Sequence, residues 1–185
     1  KFDARDMLNL IAQTQLQSGY PYLMFKDNAN KNHALREIGQ VKMSNLCTEI
    51  FQLQETSVIK DYGEGDIIKR DISCNLASLN IVNVMKSKKL KESIYSGMDA
   101  LTFVSDSTKI KNAPGVVKAN EEFHSVGLGA MNLNGYLAKN LIAYDSEEAK
   151  DFANVFFMMM NYYTIERSMQ IAKERKETFK DFEKS

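Results

Sequence analysis

The last third of the chain carries apolar side chains at helical spacing over many successive turns. Asp145-Ser-Glu-Glu148 resembles a capping box, in which side chains bond to the free backbone N–H groups at a helix start. The apolar positions that follow share one helix face, namely Ala149, Phe152, Phe156, Met160 and Tyr163. This pattern predicts a long helix that runs to about Arg175 and buries these side chains. The fold is therefore expected to be rich in helix.

Shorter patterns predict the other elements. A first helix is expected to begin after a cap at Asp3 or Asp6 and to end at Ser18-Gly19. A second is expected at 90–104, and a third at 126–137. The side chains of the second helix expected to point inward are Ile94, Met98, Leu101 and Phe103. Strands are expected at 22–25 and 72–84, a loop at 27–33, a turn at 61–66 and a chain break at Pro114-Gly115. The sequence thus predicts an α/β fold in which helices dominate, with a few strands between them.

Composition excludes several classes of protein. The formal net charge is zero, without the basic excess typical of DNA or RNA binding. Apolar runs fall far short of the roughly 20 residues of a membrane span. Two cysteines are too few for a secreted disulfide scaffold, so we expect a reducing, cytoplasmic location. The 185 residues suffice for one domain, and the ends of the chain suggest a piece of a longer protein.

The segment "MSNLCTEIF" at 43–51 places a thiol between an amide and a carboxylate. In an extended conformation Asn45, Cys47 and Glu49 share one face, because successive side chains alternate. Glu49 could then act as a general base, Asn45 could orient a substrate hydroxyl, and Cys47 could act as nucleophile or radical carrier. The alternative is that Cys47 is a buried packing residue, as free cysteines usually are.

The second cysteine lies in "DISCNLASLN" at 71–80, where Cys74, Leu76 and Ser78 are expected to share one strand face. The two cysteines are either unrelated packing residues or a redox pair that the fold brings together. A closed zinc site is not expected, because the two histidines are isolated and the sequence has no Cys-x-x-Cys spacing.

Four blocks of sequence resemble the large, catalytic subunit of class I ribonucleotide reductase. They are "SNLCTEI", "DISCNLASLNI", "HSVGLGAMNLNGYL" and "AKERKETFKDFEKS", in the family's order and approximate spacing. The last two look most like the class Ib branch. One departure is Lys176, since the family commonly has Gly after Glu-Arg. The resemblance identifies the chain as an internal fragment of such a subunit.

The resemblance implies a fold and a set of residue roles. Residues 1–185 are expected to form a single incomplete segment of a ten-stranded α/β barrel with a catalytic finger loop. Cys47 corresponds to the thiyl radical that takes the 3′ hydrogen of a ribonucleoside diphosphate. Glu49 corresponds to the acceptor of the 3′ hydroxyl proton, and Asn45 to a hydrogen-bond partner of the substrate. Cys74 corresponds to one of two reducing cysteines, and Leu76 to part of the pocket wall.

The resemblance also implies partners and cofactors. The family's second reducing cysteine lies upstream of the region present here, and its shuttle cysteines lie downstream. The expected partners are a radical-generating small subunit, a thioredoxin- or glutaredoxin-like reductant and a second large subunit. The metal-radical cofactor belongs to the small subunit, nucleotides act as effectors, and this segment is expected to bind no metal itself.

Other interpretations of the same sequence remain open. The chain could be a helical structural or interaction module that keeps these motifs without chemistry, or a redox switch that uses only Cys47 and Cys74. Tyr162-Tyr163 falls inside the long predicted helix and is interpreted as packing. Gly127-Leu-Gly129 lacks the third glycine of a dinucleotide-binding loop and is interpreted as permitting close helix packing.

Overall fold

The computed structural model describes residues 2–63 and 65–185, which form two compact units. The first unit runs to Ile72 and includes Glu183–Ser185, and the second is Ser73–Phe182. The α-helices are α1 Ala4–Ser18, α2 Lys26–Asn32, α3 Ile81–Ser87, α4 Leu90–Ser107, α5 Pro114–Phe123, α6 Leu133–Lys139 and α7 Glu147–Arg175. The strands are β1 Asn75–Asn80 and β2 Val126–Met131, and short 3-10 helices cover Asp61–Gly63 and Phe182–Lys184. In the described part of the chain, no helix has the length and apolar character needed to cross a membrane.

The first unit begins with the predicted helix. The Asp3 side chain caps α1 by accepting hydrogen bonds from the backbone N–H groups of Arg5 and Asp6. Gly19 ends α1 with a left-handed backbone at φ 77°, a conformation that glycine adopts without steric cost. The predicted cap and helix end are therefore confirmed.

Two predictions for the following segment are wrong. Residues 22–25 are not a strand, because the sheet formed by the described residues contains only β1 and β2. The predicted loop at 27–33 is mostly helix α2. The Asn30 side chain donates to the Val41 carbonyl at 3.0 Å and accepts from the Val41 N–H at 2.7 Å. These bonds between distant residues stabilise α2 despite its turn-forming composition.

The rest of the first unit is a chain of turns around a small core. Val58 and Ile67 form an isolated antiparallel bridge, which confirms the turn predicted at 61–66 for its described residues; Glu64 lies outside them. Val41 and Leu53 are buried, and Arg70 pairs with Glu55 at 3.0 Å. Val41 and Leu53 lie on either side of the segment 43–51 that carries Cys47.

The second unit is built on a two-stranded parallel sheet. Strand β1 pairs with β2 in the register Leu76 to Gly127 and Ser78 to Gly129. One face of the sheet packs on α4 and α7. The core side chains are Ile81, Ile94, Met98, Phe156 and Met160, with Leu79, Val126, Leu128 and Ala130 of the sheet against them.

The strand and helix boundaries predicted for this unit need three corrections. The strand expected at 72–84 ends at Asn80, whose side chain accepts from the Asn83 N–H and starts α3. The helix expected at 126–137 is instead β2 followed by α6, because pairing with β1 overrides the local pattern. Pro114-Gly115 begins α5, since proline suits the first helical turn.

Helices α4 and α7 confirm the two long helices expected from the sequence. Ser146 caps α7, and Ile94, Met98 and Leu101 of α4 are buried as predicted. Phe103 was expected inward but is 71% exposed. Of the α7 positions, Ala149, Phe156 and Met160 are buried, and Phe152 and Tyr163 pack partly buried against the core.

Charged and polar side chains join α4 to α7 along the rim of this core. Tyr95 donates to Glu166 at 2.6 Å, and Lys91 pairs with the same carboxylate at 2.9 Å. These two partners hold the pKa of Glu166 below its usual range. Arg175 lowers the pKa of Asp106 in the same way, chiefly by hydrogen bonding. The charged segment 173–177 thus includes ion pairs, namely Arg175 with Asp106 and Glu174 with Arg167.

Lys176 ends α7 in a left-handed conformation with φ 55°. Its N–H bonds to the carbonyls of Ala172 and Lys173, which is the usual way a helix ends in this conformation. Glycine is the residue that adopts this backbone without a Cβ penalty. The backbone at position 176 is thus one that glycine would adopt more readily than lysine.

Candidate active site

The segment that carries Cys47 is a turn in the first unit. The Thr48 N–H donates to the Asn45 carbonyl at 3.1 Å, and Thr48 has a positive φ of 62°. The side-chain oxygen of Asn45 accepts from the backbone N–H groups of Glu49 at 3.1 Å and Ile50 at 3.0 Å. Asn45 is well suited to this because asparagine side chains satisfy backbone donors in turns.

The same turn joins the amide to the carboxylate. Asn45 Nδ2 donates to Glu49 Oε1 at 2.6 Å. The side chains of Asn45 and Glu49 are therefore in contact, as the sequence suggested, but in a turn and not in an extended segment. The prediction that these residues share one face of an extended segment is wrong, because the chain reverses at 46–48 and the side chains of Asn45 and Glu49 bond across the turn.

The Cys47 side chain lies at the exposed tip of this turn. It is not the buried packing residue that was the alternative interpretation. The sequence did not single out Tyr22, which lies in the same unit. Its pKa is raised mainly by the neighbouring Tyr20 phenol, with smaller contributions from Cys47 and Glu49. Tyr22 is thus within electrostatic range of the turn.

The second unit presents Cys74 and Leu76 on one face. Cys74 directly precedes β1, and the exposed positions alternate as Cys74, Leu76 and Ser78, which confirms the predicted common face. Leu76 is 61% exposed. The opposite face of the sheet packs on the core, and this face is exposed.

Two glycines of β2 lie beside these side chains. A Cβ at Gly127 would lie 2.5 Å from Leu76 Cδ2, and one at Gly129 would lie 3.4 Å from Ser78 Oγ. Gly127 thus leaves room for a side chain of the adjacent strand. The glycines were expected to permit close packing of helices, and this is corrected: at Gly127 the close neighbour is Leu76 of β1.

A buried polar group lies behind Cys74. Asn120 of α5 is 2% exposed, and its side-chain oxygen accepts from Ser73 Oγ, from Asn75 Nδ2 at 3.1 Å and from Ser105 Oγ at 3.3 Å. Sequence reasoning missed this residue, because Asn120 lies 45 positions from Asn75 along the chain and no local pattern connects them.

The described residues contain no group of three or more His, Cys, Asp or Glu side chains placed to hold a metal ion. The groups at these two places that could take part in chemistry include the two thiols, the Asn45 amide and the Glu49 carboxylate. A thiol can exchange a hydrogen atom or form a disulfide, and a carboxylate can accept a proton.

Comparison with known proteins identifies the class. The family model for the barrel domain of ribonucleotide reductase matches residues 1–185. The chain belongs to the ribonucleotide reductase family, which confirms the resemblance seen in its motifs.

Individual relatives are similar over most or all of the chain. It is 54% identical over 185 residues to the ribonucleoside-diphosphate reductase subunit alpha of Bacillus subtilis (strain 168), covering 100% of this chain and 26% of that protein. It is 42% identical over 181 residues to the subunit alpha of Mycoplasma genitalium, covering 97% of this chain and 25% of that protein. The chain thus spans about a quarter of the length of these relatives.

Proposed function

We propose that the protein is the central catalytic segment of an alpha subunit that reduces ribonucleoside diphosphates to 2′-deoxyribonucleoside diphosphates. The observation that carries the proposal is the bond between Asn45 and Glu49 across the turn that exposes Cys47. In a member of this family, this turn carries a thiol, a carboxylate and an amide donor within five residues.

The first step uses this turn. A thiyl radical at Cys47 takes the hydrogen atom from C3′ of the ribose and becomes a thiol. Glu49 accepts the proton of the 3′ hydroxyl, which favours loss of the neighbouring 2′ oxygen. Asn45 hydrogen-bonds the reacting ribose through its amide group. The hydrogen atom later returns to C3′, Glu49 returns its proton to the 3′ oxygen, and the thiyl radical is restored.

The second step uses Cys74. Cys74 and a second thiol, from a part of the subunit outside this segment, together supply two electrons and two protons. The C2′–O bond breaks, the oxygen leaves as water, and a disulfide forms between the two sulfurs. Leu76, on the same exposed face as Cys74, forms part of the wall against which the substrate lies.

The proposal includes the surroundings that the family resemblance implies. Residues 1–185 form part of one ten-stranded barrel, and the turn at Cys47 is the tip of its finger loop. Enclosure there keeps water and other reactive groups from the radical. A small subunit with a metal-radical cofactor generates the radical, a thioredoxin- or glutaredoxin-like protein reduces the disulfide, and nucleotide effectors act on a dimer of alpha subunits.

Two cysteine variants test the proposal. Each is made in the complete alpha subunit and assayed with the small subunit, substrate, effector and reductant. Cys47→Ser is expected to abolish both deoxynucleotide formation and release of tritium from 3′-labelled substrate. Cys74→Ser is expected to abolish deoxynucleotide formation while labelled hydrogen is still released.

Ser78→Ala is the matched control, because Ser78 lies on the same exposed face as Cys74 but carries no thiol. It should match the wild type in both measurements. Substantial deoxynucleotide formation by Cys47→Ser would contradict the proposal. A Cys74→Ser enzyme that neither releases label nor forms product would contradict the division of roles between the two cysteines.

A further inference from the structure

Cys74 lies between two residues that bond to the same buried oxygen. Ser73, which is 3% exposed, and Asn75 both donate to Asn120 Oδ1. Asn75 also reaches the Ser125 carbonyl at 3.4 Å, next to the start of β2. The residues on either side of the thiol are thus held to α5, while the thiol itself points to the exposed side.

We propose that Asn120 is a positioning residue that fixes Cys74 for disulfide formation. The inference rests on the proposed role of Cys74 as a reductant. Disulfides require Cα atoms roughly 4.4–6.8 Å apart and a narrow range of torsion angles, so the backbone at each cysteine must be well placed. Holding both neighbours of Cys74 restricts its backbone without touching the sulfur.

The composition of the cluster supports a role beyond packing. One Asn120 oxygen accepts three hydrogen bonds, and its Nδ2 is buried without a hydrogen-bond partner among the described residues. An apolar residue at position 120 would avoid the buried unpaired N–H group, but it would remove the acceptor shared by Ser73, Asn75 and Ser105. The oxygen lies at the point where it bonds to both neighbours of Cys74.

The redox step that depends on the position of Cys74 is the disulfide formation described for the proposed function. Two thiols become a disulfide, the C2′–O bond of the substrate breaks, and the oxygen leaves as water. The substrate is the oxidant. Displacement of Cys74 should therefore slow reduction and change the stability of the disulfide, but it should leave substrate binding and hydrogen abstraction at Cys47 nearly unchanged.

Asn120→Leu and Ser105→Ala form a matched pair for the test. Asn120→Leu removes the acceptor and keeps the number and branching of the side-chain heavy atoms, although leucine is the larger residue. Ser105→Ala removes one buried hydrogen bond to the same oxygen but leaves both neighbours of Cys74 bonded. Both variants are expected to lower the melting temperature of the complete subunit, so stability alone does not separate them.

Two measurements on the complete enzyme separate them. In Asn120→Leu we expect kcat to fall about tenfold or more, with KM for the substrate changed by less than about twofold. We also expect the equilibrium constant for the Cys74 disulfide, measured in glutathione buffers, to change by at least about threefold, because the backbone at Cys74 is no longer held to Asn120. In Ser105→Ala both quantities should stay within about twofold of the wild type.

The outcomes distinguish the inference from the proposed function. If Asn120→Leu matches Ser105→Ala in kcat and in the disulfide constant, Asn120 has no positioning role, even where Cys74→Ser is inactive. If Cys74→Ser itself sustains turnover, the proposed role of Cys74 fails. Should Asn120→Leu not fold, Asn75→Ala removes one of the two flanking bonds, and an unchanged disulfide constant there overturns the inference equally.

Discussion

A methyl group added at Gly127 would collide with Leu76, and the neighbouring Gly129 provides a control on the same face. The Cβ would lie 2.5 Å from Leu76 Cδ2 at Gly127, but 3.4 Å from Ser78 Oγ at Gly129. Carbon atoms pack at about 3.5–4.0 Å, so Leu76 must move by roughly 1 Å or more in Gly127→Ala. Gly129→Ala requires no such movement.

The two substitutions should differ in their effect on stability. Neither glycine has a positive φ, so alanine fits the backbone at both positions. Replacing glycine in this situation stabilises a protein by about 0.4–1 kcal/mol, because the unfolded chain loses freedom. At Gly127 a displaced Leu76 rotamer costs about 0.5–1.5 kcal/mol. We therefore expect Gly129→Ala to be stabilising and Gly127→Ala to be close to neutral.

For activity we expect the opposite: Gly127→Ala, nearly neutral in stability, should change KM, and Gly129→Ala should not. If Leu76 lines the substrate pocket, its displacement removes part of an apolar contact. Loss of one methylene of contact, about 0.8 kcal/mol, corresponds to an increase in KM of about fourfold. Gly127→Ala should show this increase, and Gly129→Ala should keep the wild-type KM. Alanine at either site leaves every thiol and carboxylate in place.

The assay combines urea unfolding with steady-state kinetics of the complete alpha subunit and its partner. Equal KM values for the two variants would refute the assignment of Leu76 to the pocket. Strong destabilisation by Gly127→Ala would refute the packing argument, because it would mean that Leu76 cannot rotate away.

Two further predictions concern helix α7. Lys176→Gly should stabilise the protein by about 0.5–1 kcal/mol in urea unfolding, because the cost of a left-handed non-glycine residue exceeds the added freedom of glycine in the unfolded chain. A neutral or destabilising result would contradict this. The lowered pKa values of Glu166 and Asp106 predict stability that is present above the ordinary carboxyl pKa of about 4 and is lost as the pH falls through their lower folded values. Melting temperatures measured from pH 6 to 3 should show less acid sensitivity in Glu166→Gln, and an unchanged profile would refute the linkage.

Local patterns in the sequence were sufficient to predict those parts of the structure that local contacts determine. The Asp3 cap, the Ser146 cap and the apolar repeat of α7 act within a few residues, so periodicity and capping rules identify them. The common face of Cys74 and Leu76 follows from the two-residue period of a strand, which also holds just before the strand begins.

Long-range contacts explain the errors. Strand β2 was predicted as helix because its partner β1 lies about 50 residues earlier, and pairing alone makes 126–131 extended. Helix α2 depends on the bonds between Asn30 and Val41. The meeting of Asn45 and Glu49 depends on a turn with a left-handed Thr48, which neither alternation nor composition indicates.

The bond between Asn45 and Glu49 also limits which residue can occupy position 45. An acidic side chain there would place a carboxylate oxygen about 2.6 Å from Glu49 Oε1, where like charges repel and no N–H group remains to donate to the Glu49 carboxylate. The neutral amide avoids this repulsion, because it donates a hydrogen bond to the carboxylate and carries no charge of its own. Position 45 is thus constrained by the charge of its neighbour as well as by the shape of the turn.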